Sequence, residues 1–150
     1  MMRIKRTVIA FMITVVTGLA LALANVVVNA NDDEVIVTTF LSGAAFNGQT
    51  PKGEARFRTR PDRRDFRVQV ENVNVAAGTA LNVFVNGTRI GALTINSFRQ
   101  GELERNTNDG QLVPAINDGT TVVVKNSAGA TIVSGAFGNG TTPTPTPPRP

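Results

Sequence analysis

From residue 35 onward, apolar and polar positions alternate over short runs. Val35–Leu41 is a mostly apolar run. In 54–60, Ala55, Phe57 and Thr59 alternate with Arg56, Arg58 and Arg60, and in 65–71, Phe66, Val68 and Val70 alternate with Arg67, Gln69 and Glu71. Leu81, Val83 and Val85 share one face of 80–85, and further strand patterns cover 89–95, 102–105, 121–125 and 131–137. Alternation with a period of two is the signature of strands with one buried face. No stretch after Ala30 keeps apolar residues at helical spacing. Leu81, Val83, Val122 and Val124 are core candidates.

The punctuation between runs supports hairpins. Asn86-Gly87 separates two strand patterns, and both residues tolerate the positive φ that a type I′ turn demands. Asn47-Gly48, Pro61-Asp62 and the loop 125–130, with Asn126, Ser127 and Gly129, mark further turns. Gly78-Thr79-Ala80-Leu81-Asn82-Val83 is echoed by Gly119-Thr120-Thr121-Val122-Val123-Val124, so two similar hairpins are expected. Two copies cannot close a propeller. About seven or eight short strands predict an all-β domain, an antiparallel Greek-key or immunoglobulin-like β-sandwich, with a small closed barrel as the alternative.

The ends differ in kind. Met1–Arg6 carries Arg3, Lys5 and Arg6, and Thr7–Ala24 has no charge. A basic start, an apolar stretch and small residues at alternate positions form a signal peptide. Two sites fit the small-x-small rule, Ala22-Leu23-Ala24 and Val28-Asn29-Ala30. The second is favoured here, because Asp32-Asp33-Glu34 then opens the mature chain. A retained anchor is the competing reading, although the stretch is short of the roughly 20 apolar residues that span a bilayer. Residues 138–150 read GNGTTPTPTPPRP. Proline lacks the N–H and fixes φ, so this segment is expected to be a disordered, extended tail. The expected organisation is therefore signal peptide 1–30, β domain 31–137 and Thr/Pro-rich tail 138–150. The expected location is outside the cytoplasm, whether extracellular, periplasmic or on a bacterial surface.

Composition narrows the chemistry. The 150 residues include no Cys, His, Trp or Tyr. Disulfides, thiol nucleophiles and thiolate metal sites are excluded, and the side chain best suited to proton transfer near neutral pH is missing. Formal net charge is +4, but three of the fifteen basic residues lie in the leader. The rest of the chain balances twelve basic against eleven acidic residues. Bulk charge therefore does not point to nucleic acid as a partner.

Read in order, the domain contains Leu41-Ser42-Gly43, then G-E-A-R-F at 53–57, F-R-V-Q-V-E-N-V at 66–73 and N-V-F-V-N-G at 82–87. I-G-A-L at 90–93, G-E-L at 101–103, V-V-V-K-N at 122–126 and I-V-S-G-A-F at 132–137 follow. This series resembles small exported bacterial β-sandwich domains and is distantly similar to chordin-type (CHRD) domains, over nearly all of 35–137. The resemblance implies an extracytoplasmic β-sandwich without an assigned activity. CHRD domains carry a central His-containing strand; this chain has no His, so no metal or ligand role tied to those residues transfers.

Candidate constellations are few. A hydrolytic nucleophile needs a positioned base, and the carboxylates offered by Glu54, Asp62, Asp65, Glu71, Glu102 and Glu104 read as exposed strand side chains. Asn106-Thr107-Asn108-Asp109-Gly110 looks oxygen-rich, but its spacing fails the EF-hand order and reads as a turn. Lys125 could form an isopeptide bond in a sandwich, yet a single strand Lys reads as an aggregation-deterring surface residue. No catalytic residue, metal site or cofactor is expected.

One feature rises above a generic domain. Lys52–Arg67 holds seven basic and three acidic residues. Arg56, Arg58 and Arg60 should project together from one strand face, about 6.5–7 Å apart. A hairpin partner at 65–71 would bring Arg67 into the row, with Arg63 and Arg64 at the turn and Phe57 pointing inward. Gln69 and Glu71 could offset the charge. The first expectation is a non-enzymatic structural or adhesive module. The alternative is an anion-binding module that holds an acidic polysaccharide, another anionic envelope polymer or lipid head groups through Arg56, Arg58, Arg60, Arg63, Arg64 and Arg67.

Overall fold

The computed structural model describes the backbone of residues 26–29 and the chain from 34 to 138. The expected signal-peptide residues before Val26 and the Thr/Pro tail from 139 lie outside the described residues. Among the described residues nine strands form: β1 (Val26–Asn29), β2 (Glu34–Ser42), β3 (Lys52–Thr59), β4 (Arg64–Glu71), β5 (Ala80–Val85), β6 (Thr88–Thr94), β7 (Gly101–Asn106), β8 (Thr121–Lys125) and β9 (Thr131–Ala136). Eight match the alternating runs to within two residues at either end. β1 falls inside the stretch read as leader.

All pairings are antiparallel, and the strands join in one sheet in the order β6-β5-β8-β9-β2-β3-β4-β7, with β1 on β2. The expectation of two facing sheets is therefore corrected. The sheet curls on itself until its ends, β6 and β7, come together as a nearly closed barrel. No ladder joins β6 to β7 among the described residues. The seam is closed by side chains. Arg105 Nη2 on β7 donates to the Ile90 carbonyl on β6 at 2.6 Å. Two glycines permit the approach. A β-carbon on Gly91 would fall 2.7 Å from Arg105 Nη2, and one on Gly101 would fall 2.6 Å from Leu93 Cδ1. One interior fed from all sides suits the same alternation as a sandwich, because in both forms one face of every strand is buried.

The interior holds Leu41, Ala55, Phe57, Phe66, Val68, Val70, Leu81, Val83, Leu93, Val122, Val124, Val133 and Phe137, all at most 8% exposed. The four core candidates are among them. The turns follow their chemistry. Asn86 and Gly87 have φ of 46° and 79°, the pair of positive values a type I′ hairpin requires. Asn47 and Gly48 repeat the device, with φ of 48° and 77°. Asn106–Gly110 folds as a short 3-10 turn: the Asn106 side chain accepts from the Asn108 N–H at 2.8 Å, and Gly110 closes it with φ of 68°.

Candidate functional site

The β2-β3-β4-β7 portion of the barrel presents its polar face outward, and the Arg stripe lies on it. Registration places side chains in rungs that cross the strands. One rung runs Phe40, Glu54, Gln69, Glu102; the next runs Thr38, Arg56, Arg67, Glu104. A third holds Ile36, Arg58 and Asp65, and a rung at the other end pairs Ser42, Lys52 and Glu71. Arg56, Arg58 and Arg67 thus share the outer face as expected, with Arg60 just beyond β3. Phe57, Phe66, Val68 and Val70 on the opposite face are buried.

This face is a lattice of both signs rather than a cationic patch. Glu34 takes two guanidinium groups: Arg60 Nε lies 2.9 Å from Glu34 Oε2, and Arg58 Nε lies 3.2 Å from Glu34 Oε1. The Glu34 side chain is only 19% exposed, so the two arginines converge on a partly sheltered carboxylate. Arg67 Nη2 reaches Glu102 Oε2 at 2.6 Å, and Gln69 Nε2 donates to the same oxygen at 2.9 Å. Arg63 Nε pairs with Asp65 Oδ1 at 2.7 Å, and Lys52 Nζ with Glu71 Oε1 at 3.1 Å. The hydrogen bond from Arg67, helped by that from Gln69, holds the Glu102 carboxyl below its ordinary range, while the same bond raises Arg67. The hydrogen bond to Glu34 likewise raises Arg60.

Two arginines of the stripe differ from the rest. Arg56 stands opposite Arg67 in the β3–β4 register, a like-charge pairing that costs stability when nothing intervenes. Arg67 is hydrogen-bonded to β7 instead. Arg64 is exposed beside the β3–β4 turn, where its N–H donates to Thr107 Oγ1 at 3.0 Å. Neither Arg56 nor Arg64 has an ion pair among the described residues.

Sequence reading expected Gln69 and Glu71 to offset the stripe. Glu71 does pair with Lys52, but the carboxylates that meet the arginines are Glu34, Asp65 and Glu102. Two of these come from strands remote in sequence. A second feature also escaped it. Beside the Arg rung lies a groove of about 620 Å³ whose lining includes Phe40, Lys52, Glu54, Gln69, Glu71 and Glu102. Phe40 is 52% exposed there. In a run as apolar as Val35–Leu41, alternation does not mark which residues face out. On the far side of the barrel, Lys125 Nζ lies 5.3 Å from the centre of the Phe84 ring, a cation–π contact at the surface. Among the described residues no three His, Cys, Asp or Glu side chains cluster as metal ligands, and no helix is long and apolar enough to cross a membrane. Comparison of the chain with protein-family models, with curated proteins and with solved structures returned no match.

Proposed function

We propose that the chain is an exported, non-enzymatic module of a bacterial envelope, structural or adhesive in role. The observation that carries this reading is the convergence of Arg58 and Arg60 on Glu34. A face built to capture anions keeps its guanidinium groups free, because each can bind a phosphate or carboxylate bidentately. Here most of the stripe is already engaged by the protein's own carboxylates. The absence of His and Cys from the sequence removes the usual acid–base and nucleophilic partners. The basic-then-apolar leader supports export, and the distant likeness to CHRD domains agrees with an extracytoplasmic setting. An adhesive contact would fall on the groove beside Phe40, where an exposed ring adjoins carboxylate and amide acceptors.

The anion-binding alternative uses the whole stripe, of which Arg56 and Arg64 are the members without an ion pair among the described residues. Chromatography on heparin at two ionic strengths separates the readings. A structural module elutes early, and Arg56→Ser/Arg58→Ser/Arg60→Ser elutes with the parent. Retention of the parent at low salt, released by salt and lost in the triple variant, would establish the anion-binding face. Fractionation of cells making the full chain tests export. The protein is expected beyond the cytoplasmic membrane, and recovery in the cytoplasm alone overturns the reading.

A further inference from the structure

The leader pattern offers two processing sites, and the sheet distinguishes between them. β1 lies between these sites, after Ala24 and before Ala30. It pairs antiparallel with the first half of β2: Val26 with Val37, Val27 with Ile36, Val28 with Val35 and Asn29 with Glu34. β2 needs this partner. One edge of β2 is filled by β3 from Val35 to Ser42. Along the other edge, β9 joins it in register only at Ser42 with Ser134, and the Thr39 hydroxyl donates to the Ala136 carbonyl at 2.8 Å. Beyond that point β9 has ended, and β1 continues the pairing along Val37, Ile36, Val35 and Glu34.

Resting on the export reading above, we propose that the leader is cut after Ala24, so that the mature chain starts at Asn25 and keeps β1 as its first strand. In that cleavage, water adds across the Ala24–Asn25 amide. The C–N bond breaks, Ala24 leaves as a carboxylate and Asn25 as a protonated amine. Both sites satisfy the small-x-small requirement, so the enzyme's own preference does not separate them. The consequence for the fold does. A cut after Ala30 would discard β1 and leave the N–H and C=O groups of β2 bare along Val35, Ile36 and Val37. An exposed apolar edge of this kind templates pairing with another chain. A cut after Ala24 keeps the edge covered.

Intact mass and N-terminal sequencing of the exported protein, made from the full chain in a secreting bacterium, test the proposal. The expected N-terminus is Asn25. A start at Asn31, six residues shorter, overturns the proposal and leaves export standing; a product that still begins at Met1 or Met2 overturns the cleaved-leader reading on which it rests. Two substitutions in the full chain give a second readout. Ala24→Phe should abolish or reduce processing severalfold, and Ala30→Phe should leave it unchanged; the reverse pattern overturns the proposal.

Discussion

Arg105 on β7 donates from Nη2 to the main-chain carbonyl of Ile90 on β6 at 2.6 Å, bridging two strands that no ladder joins among the described residues. Gly91 makes room for it. A β-carbon there would meet Arg105 Nη2 at 2.7 Å and Leu103 Cδ2 at 3.1 Å. Gly91→Val is therefore expected to push β7 away from β6. Overpacking of this kind costs about 1–3 kcal/mol, which lowers the melting temperature by several degrees in a domain of this size. Thermal unfolding followed by circular dichroism measures it. An unchanged melting point would mean that the seam has slack.

Val83 is fully buried between β6 and β8, whereas Thr94, at the end of β6, is exposed. Val83→Asp places a carboxylate in an apolar interior and should cost several kcal/mol, a large part of the roughly 5–15 kcal/mol that holds a small domain together. Thr94→Asp should change stability by less than about 0.5 kcal/mol. Denaturant titration of the two variants reads the contrast. Equal stability would contradict the strand facing described above.

Glu34 pairs with Arg58 through one oxygen and with Arg60 through the other. Glu34→Gln keeps the shape of the side chain and removes its charge, so both guanidinium groups become free to meet outside anions. The variant should elute from heparin at higher salt than the parent. Coincident elution would show that Glu34 does not mask the row.

Glu102 links pH to stability. Its carboxyl is held below the ordinary value of 4.5, first by the hydrogen bond from Arg67. A carboxyl with a lowered folded-state pKa stabilises the fold fully above the unfolded value, and that contribution is lost as pH falls through the folded value. The pair is partly exposed, with side chains 42% and 39% accessible, so its share is under about 1 kcal/mol. The parent should lose slightly more stability than Glu102→Gln between pH 7 and pH 3. Parallel melting curves across that range would remove Arg67–Glu102 as an acid-sensitive contact.

Strands and turns were legible in the sequence because both are local. The run from Phe66 to Glu71 names its own buried face, since neighbouring side chains of a strand point to opposite sides. Asn86-Gly87 specifies its turn, since few other residue pairs accept two positive φ values. The Arg row on β3 was legible for the same reason: Arg56 and Arg58 must share whichever face Phe57 does not take.

Only the tertiary structure decided what meets that face and how the sheet ends. Glu34 reaches Arg58 and Arg60, and Glu102 reaches Arg67, through strand neighbours chosen by non-local pairing, which no alternation within a strand encodes. Sandwich and barrel bury one face of each strand alike, so the choice fell to the close approach of β6 and β7 over Gly91 and Gly101. β1 was hidden for a different reason. Its Val-Val-Val-Asn follows the uncharged, mostly apolar stretch Thr7–Ala24 after the single Asn25, and hydropathy does not separate a strand that completes β2 from a segment bound for the membrane. Hydrogen-bond register does, because backbone pairing depends on position along a partner strand and not on how apolar the side chains are.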